Sequence, residues 1–168
     1  VRIASSHPLM RGPQLITHDL AHALHLAIDR GQIVNHYQPQ VCAVSGAIAG
    51  VECLVRWRHP EMGLLPASDF VSALTDDADL VERIGYAVLR SACRDAACWA
   101  DLPVAINISP IQFRSPELVS RVVRIAAEEG LGLDRLELEI LETAYFENPM
   151  RMREALIELR SRGVRIAI

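Results

Sequence analysis

The sequence predicts an α/β fold in which a mainly parallel sheet carries helices on its outside. Three observations lead there. After an initial pair of strands, short apolar runs alternate with longer amphipathic ones in the order β, α, β, α, β, α, β, the pattern of a crossover-connected parallel sheet. The longer runs space their apolar residues helically, and several stop at a glycine. With 51% hydrophobic residues in 168, the chain can fill a core of that kind.

Taken in order, residues 1–17 contain Pro8, Gly12 and Pro13 without periodicity and are expected to be a linker or the tail of a preceding domain. From Asp19 to Arg30, Leu20, Leu24, Ala27 and Ile28 share one helical face, and Gly31 ends the helix. Ile33 to Val41 and Ala47 to Trp57 read as strands around a turn at Ser45-Gly46. Helical spacing follows in Ala67 to Leu74 and in Asp79 to Ala100. Val104 to Ile108 is a short apolar strand, Pro116 to Gly130 an amphipathic helix, and Leu136 to Leu141 a strand. Pro149 to Arg162 is a helix closed by Gly163, and Val164 to Ile168 begins another strand.

Charge and composition narrow the function. A net charge of −4 gives no general attraction to a nucleic acid polymer or an anionic membrane, and no apolar run approaches the ~20 residues of a spanning helix. The four cysteines form no CxxC pair, so buried, reduced thiols in a reducing cytoplasm are expected. His18, His22, His25 and Asp29 fall on one helical face opposite the apolar stripe and are expected to be solvated. Arg151, Arg153, Arg160, Arg162 and Arg165, interspersed with Glu154 and Glu158, read as helical ion pairs. Trp57 and Trp99 read as packing residues.

Glu52 stands out because it lies inside the apolar run VECLVRW, where a charge needs a partner or a ligand. Alternation along a strand puts Glu52, Leu54 and Arg56 on one face and Cys53, Val55 and Trp57 on the other. Asn107 lies near the end of the third strand, and Glu139 differs in parity from Leu138 and Ile140. Three strands thus each carry one oxygen-bearing side chain toward the same edge. A Glu, Asn, Glu set suits a hard cation such as magnesium or manganese.

These residues sit in ordered motifs: YQP at 37–39, ECLVRWRHP at 52–60, GLLP at 63–66, NIS at 107–109 with Gln112-Phe113, LELEI at 136–140 with Glu142, and the closing GVRIAI. In that order and spacing the chain resembles an EAL domain, the bacterial module that hydrolyses cyclic di-GMP, over residues 18–168. The resemblance implies a TIM-type (β/α) barrel of which this chain holds the N-terminal part. It implies that Glu52, Asn107 and Glu139 bind metal, Mg2+ or Mn2+ in a two-metal site. Gln38, Leu54 and Arg56 would contact the nucleotide, Arg56 through a phosphate and Gln38 beside a guanine. Glu142 would hold a mobile catalytic loop, which with Glu52 makes up the catalytic pair, and the product would be the linear dinucleotide pGpG.

The chain departs from the family pattern at Cys53, where alanine is usual, and at Leu141, where threonine is usual. It ends at Ile168, before the family's aspartate pair, its lysine and a later glutamate. The expectation is therefore that this polypeptide turns over little cyclic di-GMP alone, and that it forms a homo-oligomer or dimer. The alternative is a degenerate EAL domain that binds cyclic di-GMP or a protein without hydrolysis, or a half-barrel that serves chiefly as an assembly interface. An upstream sensory or GGDEF domain fits the irregular start.

Overall fold

The computed structural model describes residues 17–71, 77–99, 101–140 and 149–167. Helix α1 (Thr17–Asp29) leads into an antiparallel pair, β1 (Ile33–Val41) and β2 (Ile48–His59), followed by a short β3 (Gly63–Pro66). Then come α2 (Ala78–Ala97), β4 (Val104–Ile108), α3 (Leu118–Glu128), β5 (Leu136–Ile140), α4 (Pro149–Ser161) and β6 (Arg165–Ala167). The strands join in the order β1-β2-β4-β5-β6, with β3 pairing to β2. From β2 to β6 this path is parallel, while β1 and β3 run antiparallel to β2. The architecture is that of a TIM-type (β/α) barrel, incomplete over these residues. No helix among them is long and apolar enough to cross a membrane.

Each helix forms where the apolar spacing meets a start or stop signal. Asp77 caps α2 by accepting the Leu80 amide at 3.0 Å, and Leu80, Ile84, Val88, Ala92 and Ala96 then line its buried face. Helix α3 buries Leu118, Val122 and Ile125. It ends at Gly130, whose φ of 76° is left-handed backbone that glycine adopts without a Cβ clash. In the same way, Gly163 (φ 102°) closes α4 after Met152, Leu156 and Leu159.

The core fills the layer between sheet and helices. Trp57, Val104, Ile106, Leu136 and Leu138 point into it from the strands. Leu136 and Leu138 are almost completely enclosed, so cutting either to alanine should cost roughly 2–5 kcal/mol. Arg135 ties the layer to the preceding loop: its Nη2 donates to the carbonyls of Ala96, Trp99 and Leu102 at 2.8, 3.1 and 3.1 Å. Arg90 joins α2 to the end of α3 through Glu128 and Glu129, both at 2.7 Å.

Several elements differ from the sequence reading. Strand β3 was not expected; it forms because β2 runs on to His59 and offers Arg56, Trp57 and Arg58 as pairing partners. In place of a helix from Ala67, there is a single 3-10 turn at Ala67–Asp69 that closes on the fully buried Phe70. Residues 72–76 lie outside the described residues, as do residues 1–16 of the expected linker. On the histidine face His22 is exposed, as expected, but His25 and Asp29 are paired. His25 Nε2 donates to Asp77 at 3.2 Å, Arg83 donates to His25 Nδ1 at 2.7 Å, and Arg83 also pairs with Asp29 at 2.7 Å. His25 and Asp29 thereby staple α1 to α2. Of the free cysteines, Cys53 and Cys93 are buried, Cys42 is half-buried and Cys98 exposed. The i,i+4 pairing expected along α4 occurs between Arg162 and Glu158 at 2.7 Å.

Candidate functional site

The strand face turned away from the helices carries the chemistry. In β5 the leucines and Ile140 are buried while Glu137 and Glu139 are only half-buried. In β4 the alternate residues Ala105 and Asn107 share the face of Glu139, because Asn107 lies opposite Glu139 and Ala105 opposite Glu137. In β2, Glu52 lies opposite Ala105, with Leu54 and Arg56 following on the same side. Cys53 is buried on the helix side, as its parity requires.

Glu52, Asn107 and Glu139 are therefore brought together. Asn107 Nδ2 donates to Glu52 Oε1 at 3.1 Å and stands next to Glu139 across the ladder. Burial holds the Glu139 carboxyl above the usual glutamate range, and the charges of Glu52 and Glu137 push it the same way. A divalent cation at this row would relieve that crowding with oxygen ligands of the right kind. Among the described residues no three His, Cys, Asp or Glu side chains group to hold a metal; the set here is two carboxylates and an amide.

The other expected site residues are less gathered. Gln38 lies opposite Glu52 in the antiparallel register and is exposed. Leu54 is half-buried. The Arg56 guanidinium donates to the carbonyl of Val55 at 2.9 Å. Glu142 lies outside the described residues.

Three supporting residues were not singled out as site residues from the sequence. Gln40 Nε2 donates to Glu139 Oε1 at 3.3 Å; its parity with Gln38 and the glycine opposite it were the available signals. Gln112 is buried and accepts the Ser109 amide at 3.0 Å, anchoring the chain just after Asn107. Tyr37 backs the exposed Gln38 from the helix side, donating to Asp95 at 2.6 Å and meeting Trp99 edge-on at 4.8 Å. Burial, then the Asp95 bond, raises its hydroxyl well above the usual tyrosine range.

The EAL domain family model matches residues 21–168. A signalling protein of Caulobacter vibrioides is 42% identical over 151 residues, which is 89% of this chain and 18% of that protein. The bifunctional diguanylate cyclase/cyclic di-GMP phosphodiesterase MucR of Pseudomonas aeruginosa is 36% identical over 154 residues, 89% of this chain and 22% of its own length. A solved structure of PaMucR phosphodiesterase in complex with cyclic di-GMP superposes with a TM-score of 0.82 at 36% identity, covering 89% of this chain and 62% of that one. The chain thus spans about a fifth of the length of these curated relatives.

Proposed function

The chain belongs to the EAL domain family, and from that membership we propose that it supplies the cation-holding face of a cyclic di-GMP phosphodiesterase. The observation that carries the proposal is the row in which Asn107 bonds Glu52 and stands opposite Glu139. These three side chains would hold Mg2+ or Mn2+, which when bound would activate a water and neutralise phosphate charge. Asn107 can do so while its Nδ2 orients Glu52, because the amide oxygen is a separate acceptor. Arg56 would turn its planar donors to a phosphate, Leu54 would give apolar contact, and Gln38 would meet a guanine edge. Glu142 would steady a loop beside the site. The product would be pGpG.

Similarity to a phosphodiesterase solved with cyclic di-GMP supports this reading. A second reading, binding without hydrolysis, rests on the size of the donor set. Among the described residues the row holds three donors, few for two hard cations that each take about six oxygen ligands. In either case the domain would work beside other modules, a sensory or GGDEF domain among them, as the double activity in the name of MucR suggests. A homo-oligomer is part of the same proposal.

Product analysis separates the two readings. On the first reading, the domain within its full-length protein, incubated with cyclic di-GMP and Mg2+ or Mn2+, should yield pGpG, and Glu52→Ala should abolish it. Cyclic di-GMP that is bound but recovered intact would leave the binding role.

A further inference from the structure

Gln40 has no part in the function proposed above, yet its side chain reaches a carboxylate of the row. The bond from its Nε2 to Glu139 Oε1 connects β1 to β5, with β2 and β4 lying between them in the sheet. Such a reach needs empty space on the inner face, and Gly50 supplies it. Gly50 is the register partner of Gln40, and a Cβ there would lie 3.0 Å from Gln40 Oε1 and 3.4 Å from the Pro103 carbonyl. The ladder also slips between Gln40 and Val41, and an irregularity of this kind re-aims the side chain beside it.

We propose that Gln40 is a positioning residue: its amide, passing over Gly50, fixes the Glu139 carboxylate at the strand-end row so that it faces a divalent cation. This rests on the cation-holding reading of the row. A glutamate has several rotatable bonds, and a fixed donor on one oxygen leaves the other free in a defined direction. Partners of this kind commonly change metal affinity about 10–100-fold. At 3.3 Å the bond is long, so the lower end of that range is expected.

The test is Mn2+ affinity, read from the electron paramagnetic resonance of free Mn2+, for the unaltered chain, Gln40→Leu, Gly50→Ala, the double variant and Glu139→Gln. Gln40→Leu should weaken Mn2+ binding about tenfold while leaving metal-free thermal unfolding nearly unchanged, a split that a purely structural role would not give. Gly50→Ala should weaken binding in the same direction, and add nothing once Gln40 is leucine, because its effect passes through Gln40. Unchanged Mn2+ affinity in Gln40→Leu, or effects of the two substitutions that simply add, would overturn the proposal. If Gly50→Ala does not fold, Gln40→Leu decides alone. Weaker binding in Glu139→Gln with no change in Gln40→Leu removes only the role of Gln40. No Mn2+ binding by the unaltered chain, or none lost in Glu139→Gln, removes the cation reading and this proposal together.

Discussion

Asn107 donates to Glu52 Oε1 at 3.1 Å and lies directly opposite Glu139 in the parallel register of β4 and β5. A neutral amide between two carboxylates both orients one of them and keeps a third negative charge out of the row. Its replacements should therefore separate stability from affinity.

Asn107→Ala loses one hydrogen bond to a charged group at a partly solvated position, a cost of about 1 kcal/mol in stability, and should weaken Mn2+ binding at least about tenfold. Asn107→Asp should behave oppositely on the two readouts. It should unfold more easily in chelator, because like charges meet, and hold Mn2+ more tightly, because ligand charge rises. Urea unfolding with and without Mn2+ reads both.

Glu139 gives the pH dependence. Its folded pKa is raised by burial first and by the Glu52 and Glu137 charges next, so the folded protein binds this proton more tightly than the unfolded chain does. The sign follows: the ionised carboxylate costs stability above the raised value, and the cost vanishes below the ordinary glutamate range. Metal-free Glu139→Gln should accordingly be more stable than the unaltered protein at neutral pH. The gap should close as pH falls through the raised value toward the ordinary one. Unfolding midpoints across that range check it.

Gly85 is needed for a different reason from Gly130. A Cβ on Gly85 would collide with the Gln112 amide nitrogen and lie 2.8 Å from its Cδ. Gln112 is buried and bonded to the Ser109 amide, so it cannot swing away cheaply. Gly85→Ala should cost about 1–3 kcal/mol, and distinctly less when Gln112 is already alanine. Denaturant titration of the double cycle measures the difference.

The thiols should divide by environment. Hydrogen bonds from the Ser45 side chain, then from the Ser45 and Val44 backbone, lower the Cys42 thiol to about 7. Burial pushes Cys53 and Cys93 up to about 12. In a Cys98→Ser background, one thiol should react with a disulfide reagent in the native state, its rate rising through pH 7 and shifting upward in Ser45→Ala. The buried pair should react only on unfolding.

Much of the site could be read in advance because strand parity is a two-state property. With Glu52, Asn107 and Glu139 on strands, alternation puts each on the face opposite its apolar neighbours, and the β4–β5 register agrees. Gln40 escaped because a bond across two intervening strands depends on how the sheet brings β1 toward β5, which no local period encodes. The stapled His25 escaped for the same reason, since Asp77 and Arg83 are 52 and 58 residues away. Strand β3 has only four residues and ends at Pro66, too short for alternation to register. The stretch after Ala67 carries helical spacing, but only a 3-10 turn forms before the buried Phe70.

The most direct test of this three-residue face is calorimetric titration of cyclic di-GMP into the chain, with Mn2+ and with chelator, for the unaltered protein and Glu52→Ala. Binding that requires Mn2+ and is lost in Glu52→Ala is the expected result. No binding by the unaltered chain, or binding indifferent to both chelation and Glu52→Ala, would contradict the assignment of Glu52, Asn107 and Glu139 as a cation-holding face for this nucleotide.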